Sequence, residues 1–255
     1  LKAVEWLRAG WRFASRPQNV QPFYLLNAGF FLLAGVASLS FFSSVLEGPV
    51  ALLAAIKDLA WAVPLALLFA LAFFVAHSWL ALAAYYRFAK KRSVFRKALR
   101  VLPGALAAVL FIVLVRAAFE STAEHGFWWG VTGTALSAFA SLAFLFVIPS
   151  YAFRRGLLKA FKESWELFSR EALEVLAFAL GSTVAGVCVL VFGVFAAVLA
   201  ALLGLVWPPL FLVSLPLALV LLSYFAGFAQ AFGAGATAAA YLNLSRKSFR
   251  GRRRA

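Results

Sequence analysis

The sequence predicts an all-α fold, a polytopic integral membrane helix bundle of about six spans, on three observations. Of its 255 residues 65% are apolar, and the mean hydropathy is +0.94; a water-soluble domain cannot hide that much apolar surface. The charged residues, 13% of the chain, gather in four clusters separated by long uncharged stretches. Those stretches exceed the roughly 20 residues that a spanning helix needs, and they lack the alternation of a membrane barrel. In hydrocarbon the backbone must satisfy its own hydrogen bonds, so helices remain.

Residues 1–21 are too charged to span. Leu1, Val4, Leu7 and Trp11 recur at helical spacing opposite Lys2, Glu5, Arg12 and Arg16. That pattern predicts an interfacial amphipathic helix with its Trp face toward lipid. A four-span membrane region, 22–152, follows, with spans at 22–46, 59–87, 101–119 and 127–152. Residues 153–174 hold a second interfacial amphipathic helix over 156–172. Leu158, Phe161, Trp165, Phe168 and Ala172 form its apolar stripe, and the opposite face carries the i,i+4 pairs Lys159–Glu163 and Glu166–Arg170.

Residues 175–244 are a two-span region, with spans at 175–203 and 207–243, and 245–255 form a polybasic cytoplasmic tail. Pro208, Pro209 and Pro216 predict an irregular or re-entrant start to the last span and a regular helix after Pro216. A shift of 154 residues superposes Trp11-Arg-Phe-Ala-Ser15-Arg16 on Trp165-Glu-Leu-Phe-Ser169-Arg170. Each segment precedes a pair of spans, which predicts a duplication in parallel units.

Orientation follows from the basic residues. All of the 24 Lys and Arg except Lys57 and Arg116 fall in 1–21, 87–100, 153–174 or 245–255. The sequence therefore predicts both termini in the cytoplasm and short outer loops at Glu47 to Asp58, Glu120 to Gly126 and Gly204 to Pro209.

Ionisable groups within spans are the first place to look for function. His77 lies midway along the second span, either as a ligand or proton-handling group or hydrogen-bonded to a neighbouring helix. Arg116 lies near the outer end of the third span, either as a substrate contact or snorkelling toward Glu120. Gln230 in the last span and Asn27 in the first are amides suited to interhelical hydrogen bonds. His77, Arg116 and Gln230 are the candidate cavity or substrate contacts. Ser223, Gly227, Ala231, Gly235 and Ala239 recur every four residues, a stripe that lets another helix approach closely; the expected partner is span five with Gly181, Gly186 and Gly193.

The cytoplasmic face is strongly basic. Lys90, Lys91 and Arg92 before span three, with Arg250, Arg252 and Arg253 in the tail, are the candidate lipid headgroup contacts. The net charge of +15 also suits nucleic acid, but these residues flank spans, where the positive-inside rule accounts for them, and no nucleic-acid partner is expected. Cys188 is the one cysteine, so neither an intrachain disulfide nor a cysteine-based zinc site can form. His125 is the one other histidine, and no metal-ligand spacing exists. No catalytic acid, base and nucleophile set is legible, so neither an enzyme nor a cofactor is expected.

Four stretches carry a resemblance: Gly10-Trp-Arg-Phe-Ala-Ser-Arg, Ser93-Val-Phe-Arg-Lys-Ala-Leu-Arg, Val147-Ile-Pro-Ser and Ala160-Phe-Lys-Glu-Ser-Trp-Glu-Leu. In this order they resemble an uncharacterised family of prokaryotic six-span membrane proteins, defined as a domain of unknown function. The last is also similar to a segment in the membrane domains attached to some glycerophosphodiester phosphodiesterases. The resemblance implies a prokaryotic plasma membrane location and supplies no reaction. The leading expectation is a non-catalytic module that organises anionic lipid or a membrane protein partner; the alternative is a small permease or transporter subunit.

Overall fold

The computed structural model describes residues 2–46, 49–122, 126–154, 156–206 and 210–252. Side chains are described for these except 36–46, 49–62, 204–206, 211–212 and 246–252. Among the described residues every long element is an α-helix: α1 (Lys2–Ala14), α2 (Pro17–Leu46), α3 (Pro49–Phe88), α4 (Val94–Glu120), α5 (Phe127–Ala143), α6 (Val147–Arg154), α7 (Leu157–Arg170), α8 (Ala172–Val206) and α9 (Phe211–Arg252). Five of the described segments are long and apolar enough to cross a membrane: Val63–Phe88, Val94–Glu120, Phe127–Arg154, Ala172–Leu203 and Val213–Ser245. The remaining expected span, 22–46, falls within α2, and its second half lies outside the described side chains.

Several boundaries differ from those predicted. α2 starts at Pro17 rather than at residue 22. Proline suits a first helical position, because its missing N–H would have no partner there, and it disfavours helix at the preceding residue, which separates α1 from α2. The expected outer loop 47–58 is largely the start of α3, a 40-residue helix. α4 begins at Val94, so the basic linker forms its first turns. α9 starts at Phe211 and runs through Pro216, not after it. A proline that early removes a single backbone bond, which the rest of a 42-residue helix tolerates. The helical backbone of α9 continues into the tail as far as Arg252.

Span four is two helices. α5 ends at Ala143 and α6 begins at Val147, upstream of Pro149. The proline ring excludes the carbonyl four residues back, here Leu145, from a regular helical position. Ser164 of α7 covers the break. Its hydroxyl donates to the Ala143 carbonyl at 2.7 Å and accepts from the Phe146 N–H at 3.2 Å.

The chain divides into two compact units. Unit 1 holds residues 1–16, 78–187 and 230–255; unit 2 holds 17–77 and 188–229. In unit 2, Phe30 packs on Phe69 and Phe73 with ring centroids 5.4 and 4.6 Å apart. Gly227 lies against the backbone of Tyr24, so close that a Cβ there would sit 2.7 Å from the Tyr24 nitrogen.

In unit 1, α1 rests on α8 and α9. Trp6 meets Phe178 edge-to-face at 5.8 Å, and Trp11 meets Phe232 at 6.2 Å. Glu174 accepts the Ala3 N–H at 3.2 Å, supplying a partner to a first-turn donor that α1 cannot satisfy itself. α7 lies on α5 and α6, where Trp165 meets Phe139 of α5 at 6.0 Å and Phe161 meets Phe144, in the break between the two, at 5.2 Å.

The residues that α1 and α7 bury lie outside their predicted apolar stripes. α1 buries Ala3, Trp6, Gly10 and Phe13 and exposes Val4 and Trp11. α7 buries Ala160, Ser164 and Leu167 and leaves Leu158 84% exposed. Glu163, predicted to pair with Lys159 on the polar face, instead pairs with Arg154 at 3.0 Å.

Candidate functional site

The turn between α3 and α4 begins as a helix C-terminus of a recognisable kind. The Lys91 N–H bonds the Tyr86 carbonyl and the Lys90 N–H bonds the Arg87 carbonyl, each at 2.9 Å. These are the paired bonds of a Schellman motif, whose closing residue takes a left-handed conformation and is usually glycine. Lys90 occupies that position here, with φ 54°. An L-residue there costs roughly 1 kcal/mol or more, from the crowding of Cβ against the carbonyl. The strained conformation sets two exposed lysines in succession at the end of α3.

Lys90 and Lys91 line a cavity of about 1040 Å³ that lies entirely within unit 1. α1 contributes Glu5, Trp6 and Ala9 to it; α6 contributes Phe153 and Arg154; α9 contributes Ala239 and the segment Tyr241 to Asn243 with Ser245. Three cations, Lys90, Lys91 and Arg154, face one carboxylate, Glu5, among these lining residues. The aromatic walls are Trp6, Phe88, Phe153 and Tyr241, with Phe153 and Tyr241 stacked at 5.6 Å. The Trp6 side chain is buried, and its indole N–H has no hydrogen-bond partner among the described residues.

Arg154 is held from behind. Its Nη2 lies 3.0 Å from Glu163 Oε1, while Glu163 Oε2 accepts from Ser150 Oγ at 2.5 Å and from the Tyr241 hydroxyl at 3.3 Å. The Glu163 side chain is 14% exposed and that of Arg154 38%. Three hydrogen-bonding groups from α6 and α9 thus converge on one α7 carboxylate. A buried carboxylate needs such partners, because water no longer solvates it.

The candidate contacts of the permease reading do not gather in this cavity. His77 belongs to unit 2, where its ring lies 5.9 Å from that of Phe23 and 6.3 Å from that of Phe73. Arg116 reaches Glu120 at 3.1 Å and Ser137 at 3.2 Å, and Glu120 also accepts from Ser137 at 2.8 Å. Gln230 is half-buried in unit 1 and does not line the cavity. Asn27 donates to the Phe23 carbonyl of its own helix at 2.7 Å.

Of the headgroup candidates, Lys90 and Lys91 reach the cavity, and Arg92 is exposed beside them. Arg250 and Arg252 lie on the helical backbone of α9, but their side chains, and the whole of Arg253 and His125, lie outside the described residues. The packing stripe Gly227, Ala231, Gly235 and Ala239 is buried throughout. Its glycines meet partners other than span five: Gly227 meets Tyr24 of α2, and a Cβ on Gly235 would lie 2.8 Å from the Phe13 ring of α1. From α8, Gly193 faces Phe225 and Gly181 faces Leu7, while Gly186 opens onto empty space.

Arg154 and Glu163 went unrecognised as a site in the sequence. Their signal was Tyr241, whose hydroxyl needs a partner when the ring is buried, but the pairing spans 78 residues and no local pattern encodes it. No protein-family model, curated protein or solved structure matches the chain.

Proposed function

We propose that this chain is a multi-pass protein of a prokaryotic plasma membrane, with six spans and both termini cytoplasmic, that organises anionic lipid at its cytoplasmic face without catalysing a reaction. The observation that carries the reading is the cavity of unit 1, where Lys90, Lys91 and Arg154 face a single Glu5 beside aromatic walls. Cations next to apolar surface suit a ligand that is anionic at one end and apolar at the other.

Two further features support it. The basic clusters 87–100 and 153–174 and the segments 1–16 and 245–255 all belong to unit 1, as a shared basic face requires. α1 and α7 each leave a Trp half exposed, Trp11 and Trp165, in helices that also carry several charged residues. Indole rings favour the headgroup level, which suits two interfacial amphipathic helices. The resemblance to the six-span prokaryotic family agrees with this topology.

Mass spectrometry of the protein purified gently from its native membrane tests the reading. Anionic phospholipid retained at near-stoichiometric level, above its share of the membrane, is the expected result. A stoichiometric protein partner with no enrichment of anionic lipid would replace lipid organisation with a scaffolding role.

A further inference from the structure

We infer that the cavity of unit 1 is a phosphate-recognition site in which Arg154, aimed by Glu163, and Lys90, fixed by its left-handed turn, grip the phosphate of an amphiphile whose apolar body leaves along the aromatic wall. This rests on the lipid-organising reading and assigns that reading a place and a chemistry.

The two cations do different work. Glu163 balances the charge of Arg154, so Arg154 adds little net field; what it adds is direction. A planar guanidinium matches phosphate oxygens in pairs, and one already oriented by a bond at 3.0 Å loses less freedom on binding. The net positive field comes from Lys90 and Lys91 against Glu5. Lysine at a position suited to glycine, with φ 54°, puts a charge where the turn alone favours none. Trp6, Phe88 and Phe153 line the same cavity as these charges, and a bare inorganic anion would leave most of its volume of about 1040 Å³ unfilled.

Two sources of phosphate share this chemistry: a lipid headgroup and a soluble phosphate. Native mass spectrometry of the full chain in detergent, titrated with short-chain phosphatidylglycerol and diacylglycerol and repeated with inorganic phosphate as competitor, separates them. Wild-type protein is expected to take phosphatidylglycerol at least ~10-fold better than diacylglycerol, which has no phosphate, on the strength of charge-assisted hydrogen bonds. Inorganic phosphate at millimolar concentration should not displace it. Displacement would assign the site to soluble phosphates instead, overturning the amphiphile part of the inference.

Arg154→Gln and Glu163→Gln should each cut the preference between the two lipids by roughly tenfold. Glu163→Asp should restore part of it. The preference is the diagnostic readout, since a merely structural role for Glu163 would lower retention of both lipids alike. Lys90→Gly guards against misfolding: it relieves the left-handed strain, so the melting temperature should hold or rise while the preference falls several-fold. No preference in the wild type would overturn the lipid-organising reading itself. A wild-type preference that survives both Arg154→Gln and Lys90→Gly would overturn this site alone.

Discussion

Trp6, Gly10 and Phe13 of α1 and Ala160, Ser164 and Leu167 of α7 occupy equivalent places under a shift of 154 residues, and all six are buried. Trp11 and Trp165 are equivalent under the same shift and are 50% and 48% exposed. The two helices share a frame and differ at its centre. α1 has no side chain there: Gly10 sits so close to α9 that a Cβ would lie 2.6 Å from the Ala236 Cβ and 2.8 Å from its nitrogen. α7 has a hydroxyl there, bonded on both sides of the α5–α6 break. The partner surface accounts for the difference. α9 is an unbroken helix with its backbone bonds made internally, so it offers only shape, and the fitting response is to remove atoms. The break between α5 and α6 offers an open carbonyl and an open N–H, and the fitting response is a small group that both donates and accepts.

That comparison can be broken at its centre first. Gly10→Leu should force α1 away from Ala236, whose backbone cannot yield cheaply, and cost about 3 kcal/mol. The loss would appear as a lowered melting temperature in lipid nanodiscs and as protease cleavage near residue 15. Melting unchanged from wild type would mean that close approach does not hold α1.

Ser164→Ala should cost less, about 1–3 kcal/mol, by leaving the Ala143 carbonyl and Phe146 N–H without the serine hydroxyl. Faster amide exchange at Phe146 would locate the loss. Exchange unchanged there would show that another group covers the break.

The smallest effects belong to the outer faces. Trp11→Ala removes an edge-to-face ring contact with Phe232, and Trp165→Ala removes one with Phe139 together with a tilted contact to Phe168. Each edge-to-face contact should contribute no more than about 1.5 kcal/mol, so the Trp165 loss should exceed the Trp11 loss by no more than the one extra contact. A large difference between them would show that the shared frame does not extend to the exposed side.

The long apolar stretches announced the helical class because length and the absence of charge are additive along a sequence. The faces that α1 and α7 bury against the rest of the protein were not legible in the same way, for a physical reason. In water the largest apolar residues of an amphipathic helix mark its packed side, but beside lipid they lose little by staying outside. Leu158, Val4 and Trp11 are exposed, while Gly10, Ala160 and Ser164 are buried. Small residues let backbones meet and therefore mark the packed side of such helices. The stripe from Gly227 to Ala239 carries the same small-residue signal along a longer helix.

The cavity was half legible. Lys90 and Lys91 stood out as a basic cluster, yet their joining with Arg154 and Tyr241 depends on contacts between distant helices. Glu163 looked like one partner of an i,i+4 surface pair, and nothing local separates such a glutamate from one turned inward toward Arg154 and Ser150. Pro149 lies within the broken span, but the break is upstream of it, since a proline disrupts the carbonyl four residues earlier.

The serine that covers the α5–α6 break is made after the break itself, 18 residues later than Phe146 and 21 later than Ala143. At ~5–20 residues per second, a ribosome needs about 1–4 s to cover the shorter of these distances. For that interval the newly inserted span carries two open backbone groups in a setting that tolerates them poorly. The arrival of α7 therefore acts as a closing step in biogenesis, and a pause in translation after Phe146 has left the ribosome but before Ser164 has emerged would prolong the vulnerable state without altering a single residue of the finished protein.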